Sequence, residues 1–102
     1  MAIRVTLTYV RPNTSTAWYS ITDAHNAYIQ TNFIDNGKMI QESSTTSADG
    51  LTLTKKVRYP NDADRNAWIN PSLHPTIKAH FDAAAAYGAA NGISRTMSTE
   101  SI

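Results

Sequence analysis

The side chains of this sequence that could do acid, base or metal chemistry are few and scattered. There are three histidines, His25, His74 and His80, eight carboxylates and no cysteine. His74 and His80 lie on either side of Pro75, at a separation that does not put two imidazoles on one helical face as a helical metal site requires. A metal ion would need a carboxylate brought from elsewhere, Asp82 or Asp64, so solvated or locally hydrogen-bonded histidines are the expectation. Lack of cysteine removes disulfides, thiolate metal sites and thiol nucleophiles. No Gly-x-Ser-x-Gly elbow is present, and the four glycines fall at expected turns or in helices rather than in a phosphate-cradling loop. Asp23, Asp62 and Asp64 are accounted for by helix starts, so spacing nominates no paired acid and base. These residues assign no catalytic group, cofactor or metal.

The aromatic residues divide into two groups. Tyr9, Tyr59 and Phe81 fall on faces expected to point inward. Trp18, Tyr19 and Trp68 fall near element ends, where an aromatic either closes a core or presents itself to a partner. An enclosed binding site, if the fold forms one, would be lined by Trp18, Tyr19, Tyr28, Trp68 and His80.

A chain of 102 residues makes one domain with one core. Nine basic and eight acidic residues leave a net charge of +1 with no long run of either sign, so no concentrated positive surface for nucleic acid is expected. The longest apolar run, Ala83 to Ala86, is far short of a membrane span, and the alternating N-terminus does not read as a signal peptide. A cytoplasmic or virion-associated location is the expectation.

The elements that must position these residues are legible as patterns. In Asp49 to Tyr59, Leu51, Leu53, Val57 and Tyr59 share one parity, with Lys55 as the exception, while Thr52, Thr54, Lys56 and Arg58 share the other: a half-buried, central strand. Asp49-Gly50 can supply the positive backbone angles of a tight turn, which folds Met39 to Thr46 back as a polar edge strand. Ile3, Val5, Leu7 and Tyr9 alternate with Arg4, Thr6 and Thr8 in a first strand ended by Pro12. The next element is a helix, with Ser20 or Thr22 at its start, a stripe of Ile21, Ala24, Ala27, Tyr28 and Thr31 or Asn32, and a stop at Asn36-Gly37. Asn61 caps a short helix containing Ala67, Trp68 and Ile69, and Pro71 and Pro75 mark a break. Pro75 to Asn91 is the longest helix signal, with Ile77, Phe81, Ala84, Ala85 and Gly88 on its packed stripe. Residues 93–102 form either a fourth strand or a loose tail.

The order β-α-β-β-α, with or without the fourth strand, makes a ferredoxin-like antiparallel sheet the economical solution: an α+β domain with strands one and three central and the helices on one face. The other face would carry Arg4, Thr6, Thr8, Val10, Thr52, Thr54, Lys56 and Arg58. With no aromatic there to stack a base, RNA binding is not expected. A wide sheet rarely leaves a whole face bare, so Arg4, Thr6, Thr8, Thr52, Thr54, Lys56 and Arg58, together with Trp18 and Trp68, are the candidate contact residues.

Two resemblances bear on function. The order of elements at this length resembles the dimeric α/β barrel proteins, which include small cofactor-free monooxygenases and haem-degrading enzymes. Such dimers pack two sheets face to face around largely apolar contents, from which the hydroxyl-rich face here departs. The segments Phe33 to Met39, Ser47 to Thr54 and Ala89 to Ile93 are similar to stretches in short proteins of tailed phages infecting cyanobacteria, which implies a virion or infection-associated role and no catalytic residue. Two functions compete: a non-catalytic homo-oligomeric assembly or interaction protein, and a small monooxygenase-like enzyme. The size of any cavity between sheet and helices discriminates them.

Overall fold

The computed structural model describes every residue except Pro71. Four strands, β1 (Ile3–Val10), β2 (Ile40–Thr46), β3 (Thr52–Tyr59) and β4 (Ser94–Ser101), form an antiparallel sheet in the order β2-β3-β1-β4. Three α-helices, α1 (Asp23–Ile29), α2 (Asp62–Ile69) and α3 (Pro75–Asn91), complete the chain. This is the expected ferredoxin-like arrangement, with the two strands of cleanest period-two alternation at its centre. Val5 sits opposite Val57 and Ile3 opposite Tyr59. These four side chains therefore share a face, and against it pack Ile29, Phe33 and Ile77, with Met39 closing the edge. Phe33 and Ile77 are the largest fully buried side chains among the described residues.

The first helix packs on a different stripe from the one its alanines suggest. Ala24, Ala27 and Thr31 are exposed, while Ile21, His25, Tyr28, Ile29, Asn32 and Phe33 are wholly or partly buried. The true stripe runs one position later, at a spacing of three or four residues, and has the bulk that the alanine version lacked. Thr22 is the N-cap, accepting a hydrogen bond from the His25 amide at 3.2 Å. The last turn, Gln30–Ile34, is π-helical. Its Asp35 amide reaches the Gln30 carbonyl at 2.9 Å, and the Gln30 amide group donates to the Asp35 carboxylate at 2.7 Å. Amides of both Lys38 and Met39 then donate to the Phe33 carbonyl, which reverses the chain into β2.

The β2–β3 turn needs a positive φ at Gly50 alone, 76°; Asp49 instead accepts from the Leu51 amide and the Ser47 hydroxyl. Arg11 locks this turn to the loop before α1, donating to the carbonyls of Gly50 and Thr16, each at 2.8 Å. Asn61 caps α2 by accepting from the Asp64 amide. The expected break at Pro71 lies outside the described residues, with α2 ending at Ile69 and α3 starting at Pro75. Along α3, Ile77, Phe81, Ala84 and Gly88 are covered as expected but Ala85 is exposed, its place on the packed side taken by His80 and Tyr87. Gly92, at φ 69°, ends the helix. Ser94–Ser101 pairs along the whole of β1 and forms the second edge. No described helix is long and apolar enough to cross a membrane.

Candidate functional site

Three places gather the polar chemistry of the molecule: the uncovered face of the sheet, an aromatic cleft beside α2, and a pair of histidines between α1 and α3.

Alternation puts Arg4, Thr6, Thr8 and Val10 of β1 on the face away from the helices, beside Arg58, Lys56, Thr54 and Thr52 of β3. On the outer side of β1 the same face receives Glu100, Ser98, Thr96 and Ser94. Strand β2 contributes Ile40, Ser43 and Thr45, and a bulge between Gln41 and Ser43 leaves Glu42 without a partner on β3. The bulge turns the Glu42 carboxylate onto this face. Arg4 reaches across β3 to grip it with two nitrogens, at 2.8 and 3.1 Å, and donates to Glu100 at 3.2 Å on the other side. The hydrogen bonds from Arg4, with its charge and those of Arg58 and Lys56, hold the Glu42 carboxyl below the usual carboxylate range. Arg58 has a buried Nε with no hydrogen-bond partner. The face is thus a flat field of short hydroxyl side chains, crossed by one ion-paired row and holding one unspent guanidinium nitrogen.

Neither tryptophan belongs to that face. Trp18 is half-buried beneath the Arg11 guanidinium, 4.6 Å from ring centroid to Cζ, at the turn end of the molecule. Trp68 packs edge-on against Phe33 and Phe81, with centroids 5.0 and 5.3 Å away. The candidate contact set therefore divides: seven residues share the open sheet, and the two tryptophans are engaged elsewhere.

The candidate pocket residues divide as well. Trp68 lines a cleft of about 130 Å³ with Ile69, Asn70, His74, Lys78, Phe81 and Asp82. His74 Nδ1 and the Tyr28 hydroxyl share a hydrogen bond of 2.7 Å behind it, and the His74 ring lies 4.8 Å from Phe33. Tyr28 and Trp68 thus meet through His74, a residue whose spacing suggested solvation or a local bond. Lys78 and Asp82 pair at 2.6 Å on the rim. Tyr19 and His80 lie together elsewhere, 6.1 Å apart, with Tyr87 beside Tyr19 and His25 5.8 Å from His80. Burial, the neighbouring His25 and the charge of Lys55 push the His80 pKa down. No group of three metal-ligating side chains forms among the described residues.

Sequence reasoning missed Glu42, Glu100, His74 and the His25–His80 contact. Glu42 had a signal only in hindsight, since a bulge has no mark in an all-polar strand. The histidine contacts depend on how helices cross, which one-dimensional spacing does not encode.

No protein-family model matches the sequence, and no curated protein matches it. Solved structures match its shape. A dimeric ferredoxin-like protein from an uncultured marine organism superposes with a TM-score of 0.57 at 9% identity, over 99% of this chain and 94% of that one. A monooxygenase of Streptomyces coelicolor, from the gene ActVA-Orf6 and in complex with nanaomycin D, superposes with a TM-score of 0.55 at 10% identity, over 98% of this chain and 88% of that one. At such identities the likeness is one of fold. The chain has the ferredoxin-like α+β architecture that both of these proteins share.

Proposed function

We propose that the protein is a non-catalytic assembly module that self-associates through the open face of its sheet. The observation that carries this reading is the face itself: four strands wide, uncovered by any described element, and paved with Thr6, Thr8, Thr52, Thr54 and their Ser and Thr neighbours. Four strands spaced ~4.8 Å apart, seven or eight residues long at ~3.4 Å each, span about 20 by 27 Å. That projected area, about 540 Å², is roughly two-thirds of the ~800 Å² that each partner of a standard interface buries, the scale of a small interface. The charges suit a second copy. In a two-fold pairing, Arg58 and Lys56 of one copy can face Glu42 and Glu100 of the other, and the self-complementary layout needs no foreign partner. The dimeric state described for one protein of the same fold supports the same reading. A virion, the setting implied by the resemblance of the turn segments to phage proteins, is a place where such a module would serve.

A second reading rests on the cleft at Trp68. Its 130 Å³ is far below the ~300–1,000 Å³ of drug-sized ligand sites, but near the ~150 Å³ that holds a single benzene. The Tyr28–His74 hydrogen bond gives it one oriented imidazole, the minimum for proton transfer to a small bound molecule. This is the enzyme alternative, and the monooxygenase of the same fold supports it.

Light scattering on the purified chain at tens of micromolar tests the first reading. A dimer that the double substitution Thr6→Glu/Thr54→Glu converts to a folded monomer is expected. A wild-type monomer at that concentration overturns it.

A further inference from the structure

Strand β4 is exposed along its whole length and carries serine, threonine, one arginine, one glutamate and a single large apolar residue, Met97. Met97 is 49% exposed. It lies opposite Leu7, which packs on the core, so its side chain projects on the helix side of the sheet, as does that of Arg95 two residues earlier. Arg65 reaches the same place from α2, its Cζ 5.4 Å from the centroid of the buried Tyr59 ring. Two guanidiniums thus converge on one sulfur: Arg65 Nη2 lies 3.7 Å and Arg95 Nη2 3.9 Å from Met97 Sδ.

A thioether sulfur is a weak acceptor, and these guanidiniums have no better one. Arg65 Nη1 is buried without a hydrogen-bond partner, and neither arginine takes part in an ion pair among the described residues. Arg4 and Arg11 differ, the first being met by two carboxylates and the second by two carbonyls. Strong donors are therefore already gathered around an atom that oxidation converts from a weak acceptor into a strong one. We propose that Met97 is a site of reversible oxidation by hydroperoxides, and that its sulfoxide, held by Arg65 and Arg95, latches the edge strand β4 to α2. With hydrogen peroxide the sulfur lone pair attacks one oxygen, so that an S–O bond forms as the O–O bond breaks. The sulfur is oxidised and the peroxide reduced by two electrons. The proton on the transferred oxygen passes to the departing hydroxide, which leaves as water. The new oxygen accepts from the two charged donors, bonds stronger than either makes to a thioether. Since β4 pairs with β1 alone, the latch is its second attachment. Methionine oxidation ordinarily disrupts a core. Here the sulfur stands outside the core, and the sign reverses. The site is on the opposite side of the sheet from the self-association face and does not depend on it.

Limited treatment of the intact protein with hydrogen peroxide, read by peptide mass mapping and by amide hydrogen exchange of β4, tests the proposal. The other two methionines are internal controls, Met1 being 82% and Met39 3% exposed. Met97 should gain one oxygen under conditions that leave Met39 unmodified. The β4 amides bonded to β1 should then exchange about tenfold more slowly, the scale of one charge-assisted hydrogen bond. Arg95→Gln should still oxidise at Met97 but lose the slowing. Arg95 is exposed, so the variant keeps its fold, and the unshifted NMR spectrum of its core verifies this. Met97→Leu, treated in the same way, isolates any effect of oxidised Met1 and should show no slowing. Met97 left reduced when Met1 is fully oxidised, β4 exchange unchanged or faster after oxidation, or a slowing that persists in Arg95→Gln or Met97→Leu, overturns the proposal.

Discussion

On one side of the sheet, Val5, Val57 and Tyr59 meet Ile29, Phe33 and Ile77 from the helices. On the other, one residue further along the same strands, Arg4, Thr6, Thr54 and Arg58 meet only one another and the two outer strands. Both faces come from one backbone and one alternation, yet they are built of different chemistry. The inner side buries large apolar groups, so its energetics are those of folding. The outer side presents hydroxyls and a single ion-paired row, so its contribution to folding is small and its composition is free to serve association. The inner side is also not uniform. Between α1 and α3, where the half-buried rings of His25 and His80 meet edge to face at 5.8 Å, the apolar core gives way to titratable groups.

Changes at the two faces should therefore separate. The largest loss is expected on the inner side: Phe33→Ala removes a wholly buried ring flanked by Trp68 and His74, and should lower the unfolding free energy by ~3–5 kcal/mol, read from the urea midpoint. The outer-face pair Thr6→Glu/Thr54→Glu should abolish the dimer in light scattering. Its effect on the unfolding of the isolated protomer should stay within about 0.5 kcal/mol per site, as for other solvent-facing substitutions. A smaller effect probes the polar end of the inner side. The folded-state pKa of His80 is depressed, so the unfolded chain binds its proton first as the pH falls. Stability from this group is complete above the ordinary histidine pKa near 6.5 and is lost as the pH drops below it through the depressed value. Thermal unfolding should shift down between pH 7 and 5, and His80→Gln should flatten that dependence. A local loss is expected from Tyr28→Phe, which breaks the hydrogen bond to His74 and should cost about 0.5–1.5 kcal/mol, measured by denaturant unfolding.

Much of this fold was legible because the strands obey period two. Ile3 to Tyr9 and Leu51 to Tyr59 alternate cleanly, and the glycines at 50 and 92 mark the turns that lead into β3 and β4. Where side chains were small, legibility failed. In α1 the alanines disguised the packed stripe, and only the bulk of Ile29 and Phe33 shows which side faces the sheet. Strand β2 is polar throughout and exposed throughout, so nothing in it announced the bulge at Glu42 or the ion pair with Arg4. Among the residues proposed to touch a partner, Arg4, Thr6, Thr8, Thr52, Thr54, Lys56 and Arg58 share one face of the sheet. Trp18 and Trp68 lie off that face and pack on a guanidinium and two phenyl rings of the same chain, across loops that spacing does not reveal. Lys55 broke the inward pattern in the sequence itself, and its side chain is exposed.

The absence of native cysteine allows the outer face to be probed by a single introduced thiol. Thr6→Cys on the open face and Lys78→Cys on the far side of the molecule, each treated with a short bis-maleimide at tens of micromolar, provide the most direct comparison. Cross-linking to a dimer at Thr6→Cys and not at Lys78→Cys is the predicted result. A monomer at both positions, or a dimer formed only through Lys78→Cys, would contradict self-association through the open sheet.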